Sequence, residues 1–239
     1  MGAGRKSVDA ALLADRCLYS LLPPSPSPLP TMSWYDVFSR FYDRSLEPLY
    51  REQRRLTAEA LQLAPGQVVL DLPCGTGLSF DTIAPAIGPE GLLLGVDRSH
   101  GMSNKAAARA EANGWAQVRV HQADVHTLTA VELEQALGAP RAIDRLHVFL
   151  GLSAFPEWER AFEHLWSLLA PGGRCVVVDV HAARPSLQGR MVNLVARADI
   201  RRETWTVLER LANNFSRVDL PSSKEHGGQL YLASGDKPR

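Results

Sequence analysis

One ten-residue stretch, VVLDLPCGTG at residues 68–77, constrains this chain more than any other. Its first three residues are apolar, and the run ends at Asp71, which suits a strand buried on both faces of a parallel sheet. Pro73 cannot donate to a strand ladder, so the strand ends near it. Gly75 and Gly77 then let the backbone come close to a ligand. With the helix predicted next, the stretch forms the first half of a βαβ unit and indicates a nucleotide-cofactor site.

Carboxylates follow the ends of three predicted strands. Asp71 ends the first strand, Asp97 ends the apolar run at 91–96, and Asp124 follows the alternating run at 118–122. Because open parallel sheets bind ligands at the carboxyl ends of their strands, we expect these acids at one edge. A carboxylate there can accept hydrogen bonds from both hydroxyls of a ribose, although Asp97 could instead cap the following helix.

The residue at position 80 bears on the choice of cofactor. A dinucleotide fingerprint requires a third glycine three residues after the second, and Phe80 stands there. That side chain is too bulky for a close approach of helix and pyrophosphate. A nicotinamide-dependent reductase is therefore disfavoured, but it stays open as an alternative that hydride transfer with NADH or NADPH would revive.

Later segments continue the alternation of strands and helices. Residues 142–152 are predicted as a fourth strand and the loop after it, 157–169 as a helix, and 174–180 as a fifth strand that follows a Pro-Gly-Gly turn. Two further strands, at 215–220 and 229–234, are separated by a polar turn and suggest an antiparallel hairpin. The sequence therefore predicts an α/β fold with a seven-stranded, mostly parallel sheet, helices on both faces and a C-terminal antiparallel hairpin.

Several motifs in a fixed order resemble those of a known family. They are Asp71-Leu72-Pro73-Cys74-Gly75-Thr76-Gly77, Asp97-Arg98-Ser99-His100-Gly101-Met102, and Ile143-Asp144 with the later Leu168-Leu169-Ala170-Pro171-Gly172-Gly173-Arg174. Over residues 33–181 the chain resembles class I methyltransferases that use S-adenosylmethionine, and it is similar to the ubiquinone and menaquinone biosynthesis group. The family usually has glycine or alanine where Pro73 stands. The resemblance implies a Rossmann-like fold, S-adenosylmethionine as cofactor and S-adenosylhomocysteine as product.

The resemblance also implies the cofactor contacts. Asp97 matches the ribose acid, Met102 a methionine near the adenine, and Asp124 with Val125 the residues facing the adenine amino group and ring. Aromatic residues of the N-terminal segment close over the methionine end in such enzymes, although an aromatic stripe can also be simple core. The predicted contacts are Tyr35, Tyr42, Asp71, Pro73, Gly75, Gly77, Asp97, Arg98, Met102, Asp124, Val125 and Phe149.

The chemistry implied by this family depends mainly on alignment. Methyl transfer from a sulfonium is an in-line displacement that needs no metal ion, and none is predicted. A general base helps when the acceptor is a hydroxyl or a carbon acid. His147 on the fourth strand and His181 after the fifth are the predicted bases, with a structural role as the alternative for both.

Charge and cysteine content narrow the partners and the compartment. Lysine plus arginine equals aspartate plus glutamate, at 26 each, so we expect no nucleic acid partner. Three widely spaced cysteines fit a reducing, cytoplasmic compartment. We expect a small-molecule acceptor, a monomer or homodimer, and peripheral membrane contact if the acceptor is a lipid or a quinol.

Composition also suggests the domain organisation. Residues 1–31 are rich in proline and serine and are predicted to be a disordered extension, with Met32 as an alternative start. Residues 32–63 are predicted to form a helical lid, with Arg54 among the arginines on the outward face of its second helix. The remaining assignments are a cofactor domain at 64–239 and a candidate acceptor-site insertion at 182–200.

The absence of one motif narrows the range of possible methyl acceptors. No Asn/Asp-Pro-Pro-aromatic run follows the fourth strand, where Gly151-Leu152-Ser153 stands instead, and this disfavours DNA and RNA bases. The leading hypothesis is a small, partly apolar metabolite such as a quinol, phenol, polyketide or lipid amine. A non-catalytic S-adenosylmethionine binder, or a subunit that needs a partner, stays open as the alternative.

Overall fold

The computed structural model describes residues 47–239. The predicted extension at 1–31, the alternative start Met32, and both Tyr35 and Tyr42 lie outside the described residues. The helices are α1 (Arg51–Ala60), α2 (Phe80–Ile87), α3 (His100–Ala112), α4 (Ala130–Leu137), α5 (Trp158–Leu168), α6 (Leu187–Ala196) and α7 (Thr206–Leu211). The strands are β1 (Val68–Asp71), β2 (Leu92–Asp97), β3 (Val118–Gln122), β4 (Ile143–Phe149), β5 (Leu169–His181), β6 (Asn213–Asp219) and β7 (Gln229–Asp236).

The seven strands form one mixed sheet in the order β3-β2-β1-β4-β5-β7-β6. Neighbours from β3 to β5 are parallel, whereas β7 runs antiparallel to both β5 and β6. The predicted sheet and its C-terminal antiparallel hairpin are confirmed. Strand order reverses between β1 and β4, and ligands bind at such a switch point in open α/β sheets.

Helices cover both faces of the sheet, as predicted. One buried cluster joins β1 and β4 to α4, α5 and α7 through residues such as Leu70, Leu146 and Phe162. The other joins Val69 and Val176 to α2 and α3, with α1 packed against it. Burial on both faces explains why the central strands are nearly continuous apolar runs.

Local sequence signals set several helix starts. The Ser99 hydroxyl accepts the Met102 N–H and caps α3. Helix α4 was not predicted, yet Thr129 and Glu132 form a reciprocal capping box at its start. That Thr-x-x-Glu spacing is readable from the sequence and would have revealed the helix.

Two sequence expectations were wrong. The Pro171–Gly173 segment lies within β5, since the Gly172 N–H donates to the Lys237 carbonyl at 2.9 Å and the Lys237 N–H donates to the Gly173 carbonyl at 2.8 Å. Arg54 was expected on the outward face of its helix but is buried, with its guanidinium carbon 5.2 Å from the centre of the Phe149 ring. A cation over an aromatic face is attracted to it, and this contact depends on tertiary packing.

The part of the chain that the structure describes has neither a membrane-spanning helix nor a metal-binding cluster. No helix within residues 47–239 is long and apolar enough to cross a membrane. The same residues contain no group of three or more histidine, cysteine, aspartate or glutamate side chains placed to bind a metal ion.

Candidate functional site

The glycine loop after β1 lies in the crevice at the strand switch point. On one side, the Leu72 N–H donates to the His147 carbonyl at 3.0 Å; on the other, the Cys74 N–H donates to the Val96 carbonyl at 2.9 Å. Bonds to β4 and to β2 therefore fix the residues leading into Gly75. The loop sits where a parallel sheet presents its ligands.

The glycines of this loop are required for both conformation and space. Gly75 has a φ of 55° and Gly77 a φ of 77°, which other L-residues adopt at a cost. A β-carbon on Gly77 would also lie 2.7 Å from the ring of Phe80. That fully buried ring packs between Gly77 and Gly95. Phe80 thus fills the space that a dinucleotide fingerprint leaves open.

Asp97, at the end of β2, is hydrogen-bonded to the glycine loop. Its Oδ2 accepts the Gly75 N–H at 3.0 Å, and its Oδ1 accepts the Ser99 N–H at 2.8 Å. Each carboxylate oxygen has further lone pairs, so both can still accept from a ligand. Burial raises the pKa of Asp97 above its ordinary value of 3.8, an effect opposed by these backbone hydrogen bonds and reinforced by nearby Asp71.

Asp71 forms a buried pair with His147. The two residues face each other in the β1–β4 register, and His147 Nδ1 donates to Asp71 Oδ1 at 2.7 Å. Both side chains are 1% exposed. Among residues 47–239, no group bonds to Asp71 Oδ2. A buried carboxylate oxygen without a partner is costly, and a bound cation or donor would satisfy it.

The charge around Cys74 shows which ligands the loop favours. Burial raises the pKa of the Cys74 thiol well above its ordinary range, and the negative charges of Asp71 and Asp97 raise it further. The same field that disfavours a thiolate would disfavour a phosphate and stabilise a cation. The two carboxylates beside the glycine loop therefore favour a cationic group over a phosphate.

The residues predicted on the adenine side lie along the next two elements. Asp124 Oδ1 accepts the His126 N–H at 2.9 Å, and its Oδ2 lies 3.6 Å from Arg98 Nη1. Val125 is buried, as is Met102 in the first turn of α3. The adenine contacts of these residues stay a prediction.

The presence of proline at position 73 is explained by its packing against the loop after β4. A β-carbon on Gly151 would overlap the Cγ and Cδ atoms of Pro73, so the proline ring lies directly against the loop that follows β4. The proline thus fits this chain because a glycine faces it.

Phe149 at the end of β4 is surrounded by residues that the sequence did not single out. Its ring centre is 6.0 Å from that of Tyr50, at a near-perpendicular angle, and Arg54 lies over its face. The Tyr50 ring is in turn 4.9 Å from His226, in the β6–β7 connection. These contacts bring the N-terminal part of the described chain to the end of β4.

The two predicted bases are not brought together. His147 lies on the sheet face of Val69 and Phe149, whereas His181 packs edge-on against Trp205 at 4.9 Å, on the opposite face. His181 follows Val180, which is buried in the His147-side cluster, so its side chain points the other way.

A buried polar group on the His181 face was also missed. Asp179 accepts the Ser153 N–H and the Ser153 hydroxyl, both at 2.8 Å. The Tyr231 and Thr204 hydroxyls are hydrogen-bonded to each other nearby. Burial raises the pKa of Asp179, against the effect of these donors. The valine run around Asp179 does not reveal that Ser153, from the loop after β4, is its partner.

Comparisons with known proteins agree with this geometry. A family model described as a methyltransferase domain matches residues 69–173. The chain is 25% identical over 230 residues to a demethylmenaquinone methyltransferase of Desulfitobacterium hafniense, with 86% of each chain covered. It is 30% identical over 175 residues to an uncharacterized 37.1 kDa protein in a Streptomyces fradiae transposon, covering 72% of this chain and 44% of that protein. The chain thus spans less than half of that second relative.

A solved structure shares the fold. Geranyl diphosphate C-methyltransferase from Streptomyces coelicolor A3(2), in complex with S-adenosylhomocysteine, superposes with a TM-score of 0.65 at 19% identity. The match covers 88% of this chain and 83% of that one. Likeness at this identity establishes the shared fold.

The matched domain and the sheet order are those of class I S-adenosylmethionine-dependent methyltransferases. Within that class, the chain is similar to the demethylmenaquinone methyltransferases. The cofactor of the class carries a sulfonium and an ammonium group, and the residues present fit it. Two carboxylates lie beside the loop, one oxygen of Asp71 is buried without a partner among residues 47–239, and Gly75 and Gly77 hold the loop at positive φ.

Proposed function

We propose that this chain transfers the methyl group of S-adenosylmethionine to a small, partly apolar acceptor. The two carboxylates at the glycine loop carry the proposal: Asp97 is hydrogen-bonded to Gly75, and Asp71 keeps one buried oxygen without a partner among residues 47–239, an arrangement that favours a cationic cofactor over a phosphate-bearing one. When bound, S-adenosylmethionine supplies an electrophilic methyl group whose transfer leaves a neutral thioether.

Four of the predicted contacts then have roles toward the cofactor. Asp97 would accept from the ribose hydroxyls while its bonds to Gly75 and Ser99 hold it in place. Asp71 Oδ2 would accept from the ammonium group. Asp124 and Val125 would border the adenine. The remaining lone pairs of Asp97 and the unpartnered, buried oxygen of Asp71 support these assignments.

His147 is the better supported of the two predicted bases. Because Asp71 Oδ1 accepts from Nδ1, the neutral ring carries its proton there and leaves Nε2 as the proton acceptor. The paired carboxylate would also stabilise the imidazolium formed when Nε2 takes a proton. The edge-on contact with Trp205 offers His181 no such partner.

The acceptor side would lie around Phe149. Tyr50, Arg54 and Phe149 form an aromatic and cationic wall beside His147, which suits a flat or partly apolar acceptor with a polar group. Demethylmenaquinone methyltransferases are among the relatives, so a quinol is one candidate, beside a phenol, a polyketide and a lipid amine. The free thiols of Cys74 and Cys175 fit the reducing cytoplasmic compartment included in this proposal.

The test is release of S-adenosylhomocysteine with a panel of quinols, phenols, polyketides and lipid amines. For a hydroxyl or carbon acceptor, His147→Gln should lower kcat about 100- to 10,000-fold, the usual contribution of a general base, and leave the cofactor Kd within a few-fold. His181→Gln is the matched control and should leave kcat near the wild-type value. Cofactor binding without turnover of any acceptor would favour a non-catalytic binder.

A further inference from the structure

Helix α6 has an apolar stripe that faces away from the protein. Leu187, Met191 and Leu194 are 80%, 54% and 72% exposed. Spacings of four and three residues place them on one helix face. Among residues 47–239, the only other exposed large hydrophobic side chains are Val131 and Val218, each alone on another element.

The opposite side of α6 is fixed to the protein. A β-carbon on the buried Gly189 would lie 2.6 Å from the Gly227 carbonyl, so the helix packs closely on the β6–β7 connection. Asn193 Oδ1 also accepts the Ile200 N–H at 3.0 Å. With its inner side held, the helix presents the apolar stripe outward.

Arginines border this stripe. Residues 182–202 contain five arginines and one acid, Asp199, in a chain whose acids and bases balance overall. Asp199 pairs with Arg201. The exposed Arg184, Arg190 and Arg197 have no carboxylate partner within residues 47–239. The surface around α6 is therefore both apolar and positively charged.

An open cavity of about 880 Å³ adjoins the start of α6. Its lining includes Arg184, Leu187, Lys224 and Gln229. Gln229 pairs with His181, the last residue of β5, so the cavity lies at the edge where the parallel strands end. Leu187, the first residue of the apolar stripe, thus lines a cavity at this edge of the sheet.

We propose that α6 docks the protein on the surface of an anionic lipid bilayer, with Leu187, Met191 and Leu194 inserted below the headgroups and the arginines beside them. Apolar side chains bordered by basic ones are the features of helices that lie in a membrane interface. A ten-residue helix is about 15 Å long, which is short for the roughly 800 Å² per partner of a stable protein interface. The inference rests on the proposed function, since docking would give the site access to an acceptor held in a membrane.

Vesicle flotation of the full chain tests this docking. Phosphatidylcholine vesicles with about 30 mol% phosphatidylserine should bind at least tenfold more protein than pure phosphatidylcholine at about 0.15 M salt. Leu187→Ser/Leu194→Ser and Arg190→Glu/Arg197→Glu should each remove at least nine-tenths of the binding. The matched control, Val131→Ser/Val218→Ser, removes two exposed apolar residues elsewhere and should float like the wild type.

Several results would overturn the docking. They are failure of the wild type to float, equal binding to neutral vesicles, and unchanged binding of Leu187→Ser/Leu194→Ser. A wild-type dimer in sedimentation that this variant dissociates would assign the stripe to a second copy. Calorimetric titration with S-adenosylmethionine separates the two proposals, because lost flotation with intact cofactor binding contradicts only the docking, and the reverse contradicts only the proposed function.

Discussion

Replacing Asp97 by asparagine should weaken cofactor binding more than removing the same charge from a surface carboxylate does. Both oxygens accept a backbone N–H, from Gly75 at 3.0 Å and from Ser99 at 2.8 Å. In either orientation of the variant's amide, its NH₂ group therefore faces one of these two N–H donors. Hydrogen bonds to a charged group contribute about 1.5–3 kcal/mol, so losing one toward the ribose weakens binding about 10- to 150-fold.

Isothermal titration calorimetry with S-adenosylmethionine measures this loss. Asp81→Asn is the control, because it removes the same charge from a carboxylate that is 46% exposed and lies 3.2 Å from Arg109. Surface pairs contribute about 0–1 kcal/mol, so the control should bind within about fivefold of the wild type. An Asp97→Asn variant that binds as tightly as Asp81→Asn would refute the reasoning.

The pH dependence of Asp97 has two opposite consequences. Burial raises its pKa in the folded protein, so the native state binds a proton more readily than the unfolded chain. Its contribution to stability is therefore fully present below the unfolded pKa and is lost as the pH rises through the folded pKa. Cofactor affinity, which needs the ionised form, should increase over the same range. Melting curves and titrations of wild type and Asp97→Asn between acid and neutral pH check both signs, and parallel curves for the two proteins would contradict them.

Two further variants probe the loop after β4 and the opposite face of the sheet. In Gly151→Ala, the new β-carbon should overlap the Pro73 ring, lower the free energy of unfolding by about 1–3 kcal/mol and weaken cofactor binding. The control is Gly114→Ala, whose new β-carbon has nothing within 4 Å and which should leave cofactor affinity unchanged. Calorimetry compares the two affinities, and equal values would contradict the overlap. Asp179→Asn should lower stability by about 1–3 kcal/mol, because each oxygen accepts a backbone N–H and the amide must oppose one of them. An unchanged melting temperature would contradict that account of Asp179.

The parts of the fold that the sequence predicted are those with strong local signals. Strands β1 and β2 are short buried runs that end at an acid, and the chain order alone places Asp71 and Asp97 at the same edge. The hairpin of β6 and β7 followed from two strand-like runs around a glycine turn. Its observed strands extend those runs by two residues at the start of β6 and at the end of β7.

Contacts between distant segments were not predictable in the same way. The Asp71–His147 bond depends on the register between β1 and β4, which no local pattern fixes. The burial of Arg54 depends on the Phe149 ring beneath it, and Asp179 depends on a serine from another loop. In each case, the sequence shows the polar residue but not the distant partner that satisfies it.

The central claim is that the acidic glycine loop binds S-adenosylmethionine. Parallel calorimetric titrations of the purified protein with S-adenosylmethionine, S-adenosylhomocysteine and NADH test it most directly. We expect micromolar binding of the first two and none of NADH, since Asp71 and Asp97 favour a cation over a diphosphate. Binding of NADH alone, or of none of the three, would contradict the claim.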